Sequence, residues 1–241
     1  MSEPETTKHG SWDLAGFGKV AEAIPPEVYK QTTATVCKTF ETLVAPITET
    51  TAGFGRLVRQ TFDNWVEARK VIGTYTLQQA VARAKERVEK QGKTLLLPQH
   101  PKGFVRALEE SSLETDLALH EMWVNLLASQ MIDGDSHPRF VGILSQLGPA
   151  EAKLLSSLRP RPEDSRLTYF VGGSEAHFGM SLDWFSALDQ PTQPWNLSVT
   201  LICQQSLAEI SPLYHVPEDS VLLHLTPFGA AFMTVVNPPK V

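Results

Sequence analysis

The run from Glu121 to Leu158 does most to constrain how this chain can fold. It reads EMWVNLLASQM, a polar turn DGDSHP, RFVGILSQL and then GPAEAKLLSSL. Three helical pieces follow one another, each with its own stop and start signals. Ser111 with Glu114 three residues later has the form of a capping box and predicts the opening of the first helix. Leu113, Leu117, Val124, Leu127 and Met131 follow at steps of three, four or seven and share one face, while Leu119, Met122, Trp123 and Leu126 make a second. A helix apolar on two faces belongs at the centre of a core. Asp133-Gly134-Asp135 ends it. Ser136 caps the next helix and Pro138, with no N–H and a fixed φ, takes its first position. Phe140, Ile143, Leu144 and Leu147 form that helix's stripe. Gly148 is expected as a left-handed stop and Pro149 as the next start, with Leu154, Leu155 and Leu158 completing a third stripe. Connections this short predict that successive helices pack on each other.

The strings "WVNLLASQM", "HPRF" and "ILSQLGPAEAKLL" resemble the bacterial abortive infection alpha family, whose members show an NLLA helix, a variable polar loop, an HP-x-F start and an LS-x-x-D-A-K-x-L run. "IPPEVYKQT" and "TAGFGRLV" upstream are similar to it more loosely, so the resemblance runs over about 24–158. The ending "LHLTPFGAAFMTVV" resembles the family's closing LT-x-F-G motif, whereas its NL-x-x-LGLI stretch is matched only by Asn196-Leu197 and Leu207–Ile210. The resemblance implies a role in phage defence by abortive infection. It carries no catalytic motif and so assigns no site residue.

Ahead of this segment, residues 1–22 are polar, with glycines at 10, 16 and 18, and are expected to be a flexible N-terminus. Pro25-Pro26 opens a helical stretch. Val36, Phe40, Leu43 and Ile47 make one stripe, and Phe54, Val58, Phe62 and Trp65 continue it past Gly53 and Gly55. The opposite face is rich in threonine, a weak helix former, so packing must supply the stability. The stripe has three possible destinations: the chain's own core, a second copy, or a membrane surface. A long helix is predicted over about 64–91, with Val71, Tyr75, Ala82 and Val88 as a thin seam and Gly92 as the stop. A short one is predicted near 104–110.

Past Leu158 the pattern changes. "RPRPEDSR" is a connector, "LTYFV" is β-rich, and "GGSEAHFG" is a turn. Trp195–Ala208 reads as a helix after Pro194, "LYHV" and "VLLHL" as a hairpin about "PEDS", and Thr226-Pro227 as a cap and first position of a last helix through Val236. The expected fold is mainly α: a helical N-terminal and central region over 23–158, then a small winged-helix-like α+β C-terminal module over 159–241.

Charge is unevenly spread beneath a net −6. Residues 56–106 carry eleven basic and four acidic side chains, and residues 107–241 carry six basic and sixteen acidic. The basic stretch offers Arg56, Arg59, Arg69, Lys70, Arg83, Lys85 and Arg87 as an interaction surface. It either faces solvent and acidic neighbours or contacts phosphates. A winged helix suggests DNA, yet the candidate recognition helix Trp195–Ala208 has no Lys or Arg, and phosphate neutralisation supplies most of the affinity for DNA. A structural or protein-contact role fits that module better.

No recognisable catalytic motif appears. There is no GxxxxGK[ST], GxSxG or complete GxGxxG, and no histidine has an arginine five to seven positions before it, the spacing common in helical RNases. His120 reads as a satisfied core histidine and His137 as a capping or packing residue. Asp133 and Asp135 form a solvated turn without further calcium-loop ligands. His215 and His224 are expected to face each other across the hairpin, two ligands short of a zinc site. Cys37 and Cys203 lack CxxC spacing and read as small buried hydrophobes of a reduced, cytoplasmic protein. No apolar run approaches the length of a spanning helix. We therefore expect no catalytic, cofactor-binding or metal residues and no cofactor. The expected function is a non-enzymatic part of anti-phage defence acting through a protein partner or homo-oligomer. The alternatives are a nucleic-acid binder using 56–106 and a nuclease-type toxin with an unfamiliar site.

Overall fold

The computed structural model describes residues 28, 31, 33–48, 52–92, 94–96, 98–114, 116–132, 136–158, 170–171, 194–211 and 221–238. In chain order the elements are α1 (Thr33–Thr48), α2 (Ala52–Asp63), α3 (Glu67–Gln91), α4 (Pro101–Ser111), α5 (Leu117–Gln130), α6 (Arg139–Leu144), α7 (Pro149–Ser157), β1 (Phe170–Val171), α8 (Pro194–Gln204), β2 (Ala208–Ser211), β3 (Val221–Leu225) and α9 (Pro227–Val236). The described residues are thus mainly helical. The expected N-terminal tail, the Asp133–Asp135 turn, the GGSEAHFG turn and His215 lie outside them.

α5 is the central helix. Trp123, Leu126 and Leu127 are fully enclosed, and α3, α4, α6, α7 and α9 all pack against it. Its start differs from the sequence expectation. Ser111 is the last residue of α4, its Oγ donating to the Leu108 carbonyl at 3.0 Å. The cap of α5 is Asp116, whose carboxylate accepts from the N–H groups of Ala118 and Leu119 at 2.9 and 3.0 Å, and Glu114 in turn accepts from the Asp116 N–H at 2.8 Å. Ser111 and Asp116 are both good caps by residue type. An aspartate at the start of the run also meets the positive helix end, which favours it. As a result Leu113 and Leu117, expected on the buried face, stand 48% and 58% exposed.

Among its described side chains, the apolar stripe over 36–65 goes into the chain's own core. Val36, Phe40, Val58, Phe62 and Trp65 are buried, and Phe40 stacks on Phe62. Of the threonine face, Thr35 and Thr42 are exposed, and the Thr42 hydroxyl donates back to the Lys38 carbonyl. The long helix begins at Glu67 rather than Asn64, because Val66 takes an extended conformation and breaks it from α2. Its buried seam is Ile72, Leu77, Ala80 and Ala84, shifted from the expected Val71, Tyr75, Ala82 and Val88, of which Ala82 is exposed. The shift follows from α3 being covered on more than one side, by α1, α4 and α5. Gly92 ends it in the left-handed region at φ 64, as its position predicts. Gly148, by contrast, is extended (φ −94) and serves as the N-cap of α7. The short α6 has already ended at Ser145, so no left-handed stop is required.

The three strands form an antiparallel sheet in the order β1-β3-β2. β3 pairs with the strand Ala208–Ser211, while the expected first hairpin strand Leu213–Val216 lies outside the described residues. α8 ends at Gln204, and the chain reverses at once through Ser206 at φ 60, with the Leu207 N–H donating to the Ile202 carbonyl. His224 is paired in register with Glu209. α9 starts as Thr226-Pro227 predicts, the Thr226 hydroxyl accepting from the Gly229 N–H at 2.9 Å. A Cβ on Gly229 would lie 1.8 Å from the Leu207 carbonyl oxygen, so only glycine lets the first turn of α9 sit against the strand entry. Side chains from both halves of the chain share one core, in which Trp123 and Leu155 join Ile202, Leu223 and Phe232.

Candidate functional site

The largest convergence of polar side chains lies between α3, α5 and the end of α9. Contacts between α3 and α5 advance in step along both helices. Tyr75 lies over His120, Arg83 reaches Glu121 and Asn125, and Arg87 reaches Asn125 and Ser129, so the two helices run the same way. Arg83 and Arg87 are four apart on α3 and therefore project from one face. Arg83 donates to Glu121 at 2.7 Å and to Asn125 Oδ1 at 2.9 Å; Arg87 donates to the same oxygen and to Ser129 Oγ at 3.0 Å. Asn125 then donates through Nδ2 to the Val236 carbonyl at 2.9 Å, and Ser129 donates to that of Val235 at 3.4 Å.

Electrostatics explain the arrangement. The last carbonyls of α9 have no intrahelical partner and carry the negative end of the helix dipole. Asn125 and Ser129 satisfy them with N–H and O–H donors, and the two guanidiniums lie just behind. Burial, with a smaller contribution from the neighbouring Arg83 charge, moves the Arg87 guanidinium below its ordinary pKa, though an arginine stays charged. Glu121, on the exposed side, supplies a full negative charge to Arg83, and Glu86 on the same helix acts on Arg87.

The seven basic residues expected to form a surface divide. Arg69 donates from Nε to Ser112 Oγ at 3.0 Å and from Nη2 to the Glu109 carbonyl at 2.9 Å, and its guanidinium lies 5.1 Å from the Trp65 ring centre. The Lys70 ammonium lies 5.8 Å from the Phe62 ring centre. Arg83 and Arg87 also bond within the chain, and Arg56 has an interaction of its own there. Arg56, Arg59 and Lys85 are exposed.

His120 is buried, as expected, but not satisfied. It is 3% exposed, and neither ring nitrogen has a hydrogen-bond partner. Its ring lies at 21° to that of Tyr75, with 6.2 Å between centroids. Burial pushes its pKa below the ordinary histidine value, the nearby Glu121 opposing and Arg83 reinforcing the shift. His137 is a cap, its Nδ1 accepting from the Arg139 N–H at 3.2 Å. Phe140, three residues on, meets Phe228 and Phe232 at 5.5 and 5.4 Å between centroids, tying α6 to α9. Glu151 accepts from the Gly148 N–H at 2.7 Å and from the Ser198 hydroxyl, tying α7 to α8. Cys37 and Cys203 are free and partly buried against the core, and burial followed by the Glu209 charge raises the Cys203 pKa. Among the described residues no group of three His, Cys, Asp or Glu is arranged to hold a metal ion. Nor is any helix among them long and apolar enough to cross a membrane.

Sequence reasoning missed Asn125. Its signal was a lone amide inside an apolar helix, since a buried polar side chain in such a place needs partners. The partner carbonyl is 111 residues away and could not be read from spacing.

Comparison with known proteins finds a similarity over part of the chain. Residues 75–183 match the family model described as Abortive infection alpha. The upstream IPPEVYKQT and TAGFGRLV strings and the closing LTPFG lie outside the matched range. No curated protein and no solved structure matches the chain.

Proposed function

We propose that this chain, an abortive infection alpha protein over residues 75–183, is a non-enzymatic component of phage defence that acts through protein contacts or self-assembly in the bacterial cytoplasm. The observation that carries this reading is how the signature polar residues are used. Asn125 joins α3 and α5 to α9, His137 caps the entry to α6, and Glu151 joins α7 to α8. Each is engaged as a joint, leaving the surface to act. At one end of the helical region Val66, Leu113 and Leu117 stand exposed, apolar area of the kind that protein partners cover.

The region 23–158 is read as the helical domain and 159–241 as a winged-helix-like module. Three features support the second part: a helix, a hairpin and a further helix in succession after α7 and β1, the sheet order β1-β3-β2, and the docking of α9 on α5. α8 carries no Lys or Arg, which favours a structural role over a grip on DNA.

The decisive experiment plates phage on cells with and without the gene, alongside purified protein incubated with tRNA, mRNA and DNA in Mg²⁺. Protection in cells with all three nucleic acids left intact is expected; cleavage of any of them overturns the non-enzymatic reading in favour of a nuclease-type toxin. A second reading, a nucleic-acid binder, is favoured by the exposure of Arg56, Arg59 and Lys85. It requires affinity that falls steeply with added salt.

A further inference from the structure

The outward faces of α2 and α4 share a charge order that runs against helix electrostatics. α2 exposes Arg56 and Arg59 first and Asp63 last; α4 exposes Lys102 and Arg106 and ends with the half-buried Glu109 and Glu110. Neither helix has an acidic residue in its first turn or a basic one in its last. A helix is stabilised by the reverse order, with acids at the start and bases at the end. α3 and α7 follow that preference, with Lys90 in the last turn of α3 and Glu151 in the first turn of α7. The order on α2 and α4 thus runs against the helix dipole, although on α4 Arg106 and Glu110, four residues apart, pair at 3.7 Å.

The two helices lie beside each other. Arg69, just after the end of α2, bonds to Ser112 and to the Glu109 carbonyl at the end of α4, so both helices finish at the same end of the bundle. Their adjacent outer faces make one surface, basic where they begin; where they finish, Asp63, Glu109 and Glu110 lie at the surface while Arg69 and Lys70 are turned onto Ser112, the Glu109 carbonyl and the Trp65 and Phe62 rings. Leu57 is exposed on that face, and Val66, Leu113 and Leu117 are exposed at its acidic end.

A surface with one charge sign at each end complements a copy of itself turned through 180°, which is the requirement for a two-fold, isologous contact. We propose that the α2–α4 face is where a second copy of this chain docks, antiparallel, the basic half of one over the acidic half of the other, with the exposed leucines and Val66 at the contact. This rests on the self-assembly reading above and names its partner. The face is two short helices wide, so the dimer is weak and concentration-dependent.

Sedimentation of the full chain across the micromolar range, at low and high salt, tests it. Arg59→Glu or Asp63→Lys alone is expected to weaken dimerisation at least tenfold, while the double variant Arg59→Glu/Asp63→Lys, which reverses both ends, returns it to within threefold of the parent. Leu117→Ser weakens it without moving the thermal midpoint. A chain that stays monomeric at low salt overturns the proposal, as does one whose dimer ignores these changes or whose α2–α4 face instead retards RNA. Phage plating separates this from the wider reading. A monomer that still protects sinks only the dimer, and a dimer that does not protect sinks only the defence role.

Discussion

Arginine is used in opposite ways in two parts of this molecule. On α3, Arg83 and Arg87 turn inward and spend their donors on Asn125, Glu121 and Ser129, behind the carbonyls that end α9. On α2, Arg56 and Arg59 lie exposed at the surface. Both pairs belong to the same basic stretch of sequence and contribute equally to its charge. The difference teaches that a net charge counted along a chain is not yet a surface. Part of this one is an internal fastening.

Substitutions can break or sharpen that contrast. The largest effect is expected within the core that the inward pair borders: Trp123→Ala should lower unfolding free energy by about 3–5 kcal/mol in a denaturant titration, and a loss below about 1 kcal/mol would mean α5 is not the central helix. Next comes Asn125→Ala. It strips two guanidiniums of an acceptor and the Val236 carbonyl of its donor, and should cost about 2–3 kcal/mol. In a double-mutant cycle Arg87→Ala should couple to it by about 1 kcal/mol; additive losses would show that the joint does not act as a unit.

His120 gives a smaller, pH-dependent effect. Its folded pKa is lowered from 6.5, so the unfolded chain binds the proton first. Stability should be full above pH 6.5 and fall as the pH drops toward the depressed folded value. Because the ring nitrogens have no partners to lose, His120→Leu should be near neutral at pH 7.5 and should flatten the curve below pH 6.5. An unchanged slope would assign the acid sensitivity to other groups. The smallest effect is at the outward pair, where Arg59→Ala should move stability by less than about 0.5 kcal/mol. A loss like that of Arg87→Ala would erase the distinction between the two faces.

Local features of this fold could be read from the residues because their causes are local. Gly92 stops α3, Pro149 and Thr226-Pro227 open α7 and α9, and the two-faced pattern around Trp123 marks a core helix. Where two signals competed, sequence could not choose. Ser111 and Asp116 both cap well, and which one does so decides whether Leu113 and Leu117 are buried or exposed. The helix expected through Ala208 stops at Gln204, and the strand Ala208–Ser211 was not foreseen, because Ser206 turns the chain at positive φ, a conformation its residue type does not announce. The polar junction was illegible for a different reason: Asn125 and Val236 are brought together by the whole fold, and no periodicity spans that separation. Likewise the missing partners of His120 depend on what its neighbours do, and nothing in its own flanks records that.

The bond from Asn125 to the Val236 carbonyl also sets an order of assembly. Closing a loop of that length costs entropy before any contact repays it, so helices α3 to α7 gain their mutual contacts early and α9 arrives late. Until it does, the Asn125 amide and the Ser129 hydroxyl have no helix terminus to cap. The last helix to arrive is therefore the one that completes the junction, and a chain cut short of it would leave those two donors without their carbonyls.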